Sequence, residues 1–60
     1  MELSHITPSH LARRWGIASK TLRNWRCVGN GPPYIRIGGR VMYRREDIKQ
    51  YEVEHYVHTN

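Results

Sequence analysis

Lys20, Arg23, Asn24 and Cys27 recur at one-turn spacing around Leu22 and Trp25, which lie three residues apart. On a helix turning about 100° per residue, Leu22 and Trp25 face one side. Lys20, Arg23, Asn24 and Cys27 then face the other, with Thr21 and Arg26 on the flanks. Lysine and arginine can bond phosphate oxygens or guanine edges, and the asparagine amide matches the adenine edge in the major groove. Ser19 and Thr21, at the start of the same stretch, can hold a phosphate together with free backbone N–H groups. None of these positions is acidic. A second basic group surrounds Gly38-Gly39, with Arg40 at the apex and Arg36 and Arg44 on the flanking runs. Glycine lets a backbone approach closely, and a narrow minor groove attracts arginine.

Other chemistries fit less well. Cys27, His5, His10, His55 and His58 are zinc-ligand types, but they lack paired spacing and Cys27 has no cysteine partner. Serine, histidine and glutamate are present, yet a chain this short encloses no pocket in which a nucleophile and base are oriented. Tyr34, Tyr43, Tyr51 and Tyr56 read as packing aromatics rather than as strand-transfer nucleophiles. No catalytic residue, metal or cofactor is expected.

The elements that must position the basic residues are few. Sixty residues make one domain, residues 1–60, and such a chain buries only roughly 60% of the surface it exposes when unfolded. One cysteine rules out an internal disulfide. No apolar run approaches the roughly 20 residues of a membrane span, and no signal-peptide pattern opens the sequence. A soluble, cytoplasmic module is therefore expected. Its charge is divided: residues 1–45 hold nine Lys and Arg against one acid, a net of +8, while residues 46–60 hold four acids against Lys49, a net of −3. A basic body suits a polyanion, and the acidic end suits a different role.

Thr7 followed by Pro8 reads as a helix start, a capping hydroxyl ahead of a residue already set at helical φ. Leu11, Ala12 and Trp15 form an apolar stripe and Gly16 suits a helix end, so a first helix is expected over residues 8–15. Residues 1–6 read as a lead-in, with Leu3 and Ile6 touching the core. Ile17 plugs the turn, and Ser19 caps a second helix over residues 20–28, ended by the Gly/Pro-rich segment 29–33. Residues 34–37 and 41–44 form a hairpin. A two-residue Gly-Gly loop would pair Ile37 with Arg40 and put an arginine on the face of Ile35. A three-residue loop, Gly38-Gly39-Arg40, pairs Ile37 with Val41 and Ile35 with Tyr43, leaving Tyr34, Arg36, Met42 and Arg44 outside. Because a one-residue slip moves every side chain to the other face, the apolar pattern favours the longer loop. A third helix over residues 45–56 opens with acids where the helix dipole favours them. Ile48, Tyr51 and His55 line its inner face with Glu52 at the edge, and residues 57–60 fray. Its outer face, with Glu46, Lys49, Gln50, Val53, Glu54 and Tyr56, repels DNA and suits a protein contact. The expected fold class is α+β, a winged helix-turn-helix in the order helix, helix, β-hairpin wing, helix.

The runs TPSHLARRWGIASKTLRNWR and GNGPPYIRIGGRVMYRREDIKQYE together resemble the small winged helix-turn-helix domains of phage and mobile-element excisionases. They are also similar to the DNA-binding domain of MerR-type regulators and to AlpA-like activators. The resemblance covers about residues 4–52. It rests on Leu11-Ala12 with Trp15-Gly16-Ile17, Thr21-Leu22 with Trp25, Pro32-Pro33 before the hairpin, and Tyr43-Arg44-Arg45 with Asp47-Ile48. It implies binding of double-stranded DNA by Ser19, Lys20, Thr21, Arg23, Asn24 and Arg26 in the major groove. Arg36, Gly39 and Arg40 on the wing would contact the minor groove or the backbone. It further implies a non-enzymatic architectural factor whose copies associate cooperatively on adjacent sites, bend DNA and steer an integrase toward excision. The chain departs from full MerR regulators in lacking the long dimerisation helix and effector domain, so neither effector sensing nor a coiled-coil dimer is expected. Two alternatives stand beside this reading. One is a small transcriptional regulator using the same surface; the other is a protein-interaction module that inhibits a partner through the acidic third helix.

Overall fold

The computed structural model describes residues 4–57. Its elements are β1 (His5–Ile6), α1 (Pro8–Trp15), α2 (Ser19–Val28), β2 (Ile35–Ile37), β3 (Arg40–Arg44) and α3 (Arg45–Glu54). Helix α1 begins and ends where its sequence signals lie. The Thr7 hydroxyl accepts from the His10 backbone N–H at 3.2 Å, and Gly16 closes the helix in the left-handed conformation. Gly16 N–H donates to Arg13 and Ile17 N–H to Ala12, the paired bonds of a Schellman closure. That closure turns Ile17 into the core and sets Ala18 extended, so α2 starts one residue earlier than expected. Ser19 is its first helical residue rather than its cap. Ala18 occupies the cap position and offers no side-chain hydrogen bond.

Leu11 and Ala12 of α1, Leu22 of α2, Tyr43 of β3 and Ile48 of α3 form the buried core. Ile6, Trp15, Ile17, Trp25 and Val41 pack around it. The sheet order is β1-β3-β2, antiparallel throughout. Residues 5 and 6 are thus a strand rather than a plain lead-in. His5 pairs with Arg44 and Ile6 with Tyr43, and Arg45 N–H donates to the Ser4 carbonyl at 3.0 Å. Ile6 meets the core as expected, whereas Leu3 lies outside the described residues.

The hairpin register differs from the expected one. Ile37 pairs with Arg40, Arg36 with Val41 and Ile35 with Met42, so the loop is the two-residue Gly38-Gly39. Both glycines have positive φ, 56° and 79°, as a type I′ turn requires. The twist of that turn matches the strands, and its local preference outweighs the apolar alternation. Little opposes it, because the core draws Val41 and Tyr43 from β3 and no buried residue from β2. Ile37 is consequently 65% exposed. Arg36 shares the face of Val41, and Arg40 shares the face of Ile37 and Ile35. Arg36 and Arg44 thus lie on opposite faces rather than together.

Helix α3 ends at Glu54, two residues short of the expected 45–56. His55 N–H still makes the helical bond to the Tyr51 carbonyl, and the chain then tightens as Tyr56 N–H turns to Val53. His55 is exposed rather than on the inner face, with its ring stacked 3.9 Å from that of Tyr51. Tyr56, expected as a packing aromatic, is 73% exposed. Val57 is exposed beyond the helix, and residues 58–60, part of the segment expected to fray, lie outside the described residues. The architecture is an α+β winged helix-turn-helix. Among the described residues no helix is long and apolar enough to cross a membrane.

One polar latch joins the first helix to the last. Arg14 Nε and Nη2 donate to the two Glu52 carboxylate oxygens at 2.9 Å each, and Trp15 Nε1 donates to Glu52 Oε2 at 2.6 Å. The Arg14 bonds first, and Trp15 second, hold the Glu52 carboxyl at about 2 against an ordinary 4.5. A depressed carboxyl stabilises the fold above its unfolded value and loses that contribution as pH falls toward its folded value. Glu52 is 33% exposed, so solvent screening reduces the contribution to about 1–2 kcal/mol. Glu52→Gln is expected to lower the melting temperature at pH 7 by about 4–16 °C for a domain of this size. The gap between variant and wild type should narrow between pH 4.5 and about 2. Circular-dichroism melts of both proteins across that range check it, and a gap that stays constant with pH would exclude the latch as its source.

Candidate nucleic-acid interface

Helix α2 presents Lys20, Arg23 and Asn24 to solvent while Leu22 is buried and Trp25 half-buried, the division that its spacing predicts. Ser19, Lys20, Arg23, Asn24 and Arg26 line a shallow cleft of about 650 Å3, closed at one side by Pro8 of α1. Thr21 is half-buried on the flank and does not line that cleft. With Ala18 as cap, no side chain occupies the backbone N–H groups at the start of α2. That end of the helix can donate to an anion.

Arg26 has a second attachment. Its Nη1 donates to the Tyr43 hydroxyl at 2.8 Å, and its guanidinium lies 5.8 Å from the Tyr34 ring centroid and 6.0 Å from that of Tyr43. Tyr34 in turn packs tilted against Tyr43, centroids 6.2 Å apart. Arg26 therefore fixes the hairpin relative to α2 while keeping an edge in the cleft. The spacing of α2 alone placed Arg26 on a flank and carried no signal for this contact, which is made across the fold.

On the hairpin, Arg36 and Arg40 are exposed and Gly39 sits in the turn. Arg44 is engaged elsewhere: its Nε and Nη2 donate to Asp47 at 2.9 and 3.2 Å, and Glu46 lies 3.8 Å away. Both carboxylates raise its pKa, the Asp47 hydrogen bonds most, so its charge is spent within the chain. Among the described residues, the side chains of Lys20, Arg23, Asn24, Arg36 and Arg40 have no hydrogen-bond or ion-pair partner in the protein.

The electrostatic asymmetry of the sequence becomes a geometric one. Every acid among the described residues, Glu46, Asp47, Glu52 and Glu54, belongs to α3. The exposed face of α2 is left with positive charge and nothing to offset it locally, the condition under which a surface attracts a polyanion from a distance. Helix α3 instead exposes Val53 beside Glu54, and an apolar hollow of about 720 Å3 lies between Trp15, Trp25, Tyr51 and Tyr56. Among the described residues, no three His, Cys, Asp or Glu side chains are grouped so as to hold a metal ion. Pro8 is the cleft-lining residue, and Ile37 the exposed hairpin residue, that sequence reasoning did not single out. Pro8 showed only as a helix start, and Ile37 showed as core.

A family model described as a helix-turn-helix domain matches residues 6–52, from β1 to Glu52 in α3. No curated protein and no solved structure matches the chain.

Proposed function

The chain belongs to the helix-turn-helix domain family, a small DNA-binding family of the AlpA and excisionase type, and on that premise we propose that it is an architectural excisionase. In this reading it is a non-enzymatic recombination directionality factor of a phage or mobile element, acting on DNA in the cytoplasm. The observation that carries the DNA-binding part is the α2 face, where exposed donors stand together with no acid among them. Helix α2 enters the major groove. Lys20 meets phosphate, Arg23 and Asn24 meet base edges, and Ser19 and Thr21 hold a phosphate at the helix start with the open N–H groups. Arg26 keeps the hairpin beside α2, so that Arg36, Gly39 and Arg40 reach the adjacent backbone or minor groove.

A helix of ten residues is about 15 Å long and reads only a few base pairs. One protomer alone has modest specificity, and several copies on neighbouring sites supply the rest. The acidic α3 exposes Val53, and Tyr56 is exposed just beyond its end, which favours a protein contact there, with the integrase as the expected partner.

The test joins a gel shift on DNA flanking the protein's own gene, at two salt concentrations, to an excision assay with the neighbouring integrase. Stepwise bands that weaken steeply with salt, and excision that rises with added protein, are the expected results. Unchanged affinity after Arg23→Glu with Arg40→Glu would overturn the assigned surface. Specific binding that alters transcription but leaves excision untouched would make the protein a regulator instead. A partner complex that survives high salt and ignores the basic residues would point to the interaction module.

A further inference from the structure

We propose that Ile37 is a wedge that enters the DNA minor groove at the hairpin tip and kinks the duplex there; this rests on the DNA-binding reading above. The register carries the argument. Because the loop is two glycines, Ile37 and Arg40 are the last side chains before the turn, and they stand opposite each other on one face. Gly38 and Gly39 put no side chain ahead of them. Behind them on the same face lie Ile35 and Met42, each half-buried, so the strip is apolar up to its end. Ile37 itself is 65% exposed and contributes nothing to the core.

The dimensions fit a groove. Paired strands lie about 4.8 Å apart centre to centre, so the ribbon with its atoms is wider than the minor groove of B-form DNA, about 6 Å, and only the bare glycine turn and the side chains beside it can reach in. The first side chains to meet the groove are then a cation and an aliphatic group side by side. Arginine is drawn to the negative potential of a narrow minor groove. An aliphatic side chain placed beside it packs on sugar walls and pushes between base steps, which opens the step and bends the duplex. Isoleucine is suited to this because its side chain is bulky and wholly apolar. A polar, β-branched residue would serve the strand equally well at an exposed position and could not do it.

The probe is the duplex that the wild-type protein selects from a random-sequence pool, with dyes at its two ends. Bend is read by energy transfer and affinity by anisotropy, for wild type, Ile37→Ala and Ile37→Met. The wild type is expected to bend the duplex, Ile37→Met to keep the bend, and Ile37→Ala to lose at least about half of it. The alanine variant should lose less than about tenfold in affinity, because the phosphate contacts remain. It should melt like the wild type, since Ile37 lies outside the core. An equal bend from Ile37→Ala and wild type, or binding by wild type without any bend, would overturn the wedge and leave the DNA-binding reading intact. Failure of the wild-type protein to select any duplex would overturn both.

Discussion

Leu22→Ala is expected to leave little of the protein folded at room temperature. Leu22 is fully buried, and it is the buried residue that α2 adds to the core cluster of Leu11, Ala12, Tyr43 and Ile48. Truncating such a leucine removes its transfer energy and leaves a cavity, together costing about 2–5 kcal/mol. A core of this size rarely supplies more than about 3–5 kcal/mol of net stability, so the loss is comparable to the whole. Large exposed side chains such as Ile37 have no comparable role, which separates core from surface in one experiment. Far-ultraviolet circular dichroism and urea melts of Leu22→Ala, Leu22→Met and Ile37→Ala provide the check. The methionine variant, which nearly conserves volume, should lose less than about 1.5 kcal/mol. A melting temperature for Leu22→Ala within a few degrees of wild type would mean that α2 is held mainly by something else.

The second large effect falls on recognition. Arg23→Ala is expected to weaken binding to the selected duplex by about 1–3 kcal/mol, roughly 5- to 150-fold, and to relax the preference for one base pair. Lys20→Ala should behave differently. A phosphate contact carries no sequence information, so selected and scrambled duplexes should weaken alike, and the slope of log affinity against log salt should fall by about 1. Anisotropy titrations of both variants on both duplexes, at several salt concentrations, distinguish the two roles. If Arg23→Ala lowers the salt slope and leaves discrimination unchanged, Arg23 is a phosphate contact and base reading must come from Asn24 and its neighbours.

Helices were the legible part of this sequence because each carries its own signals. Thr7-Pro8 and Gly16 bracket α1, and the Leu22–Trp25 spacing orients α2 without reference to anything distant. The hairpin was located correctly by Gly38-Gly39, but its register was not. Alternation assumes that both strands bury a face, whereas β2 buries no residue and the type I′ turn decides the pairing. β1 left no trace, since two residues carry no periodicity and their partners lie far along the chain. Side-chain preference makes Ser19 the cap, while the closure of the preceding helix sets Ala18 in that place. The basic face of α2 was legible from spacing. The links from Arg26 to Tyr43 and from Arg14 to Glu52 were not, because each joins segments that only the fold brings together.

The β1 strand gives the chain an order of events. Residues 4–6 emerge before their partners at residues 43–45, which follow roughly forty residues later, about 2–8 s at ordinary translation speed. Helices α1 and α2 and the hairpin need only neighbours, whereas closing this loop costs about 3 kcal/mol of chain entropy before any contact repays it. Residues 4–6, like the Arg14–Glu52 latch, thus wait on a segment made about forty residues later. Until they pair, Ile6 is uncovered, β3 has an unpaired edge, and α3 lacks the Ser4 carbonyl that receives its first N–H.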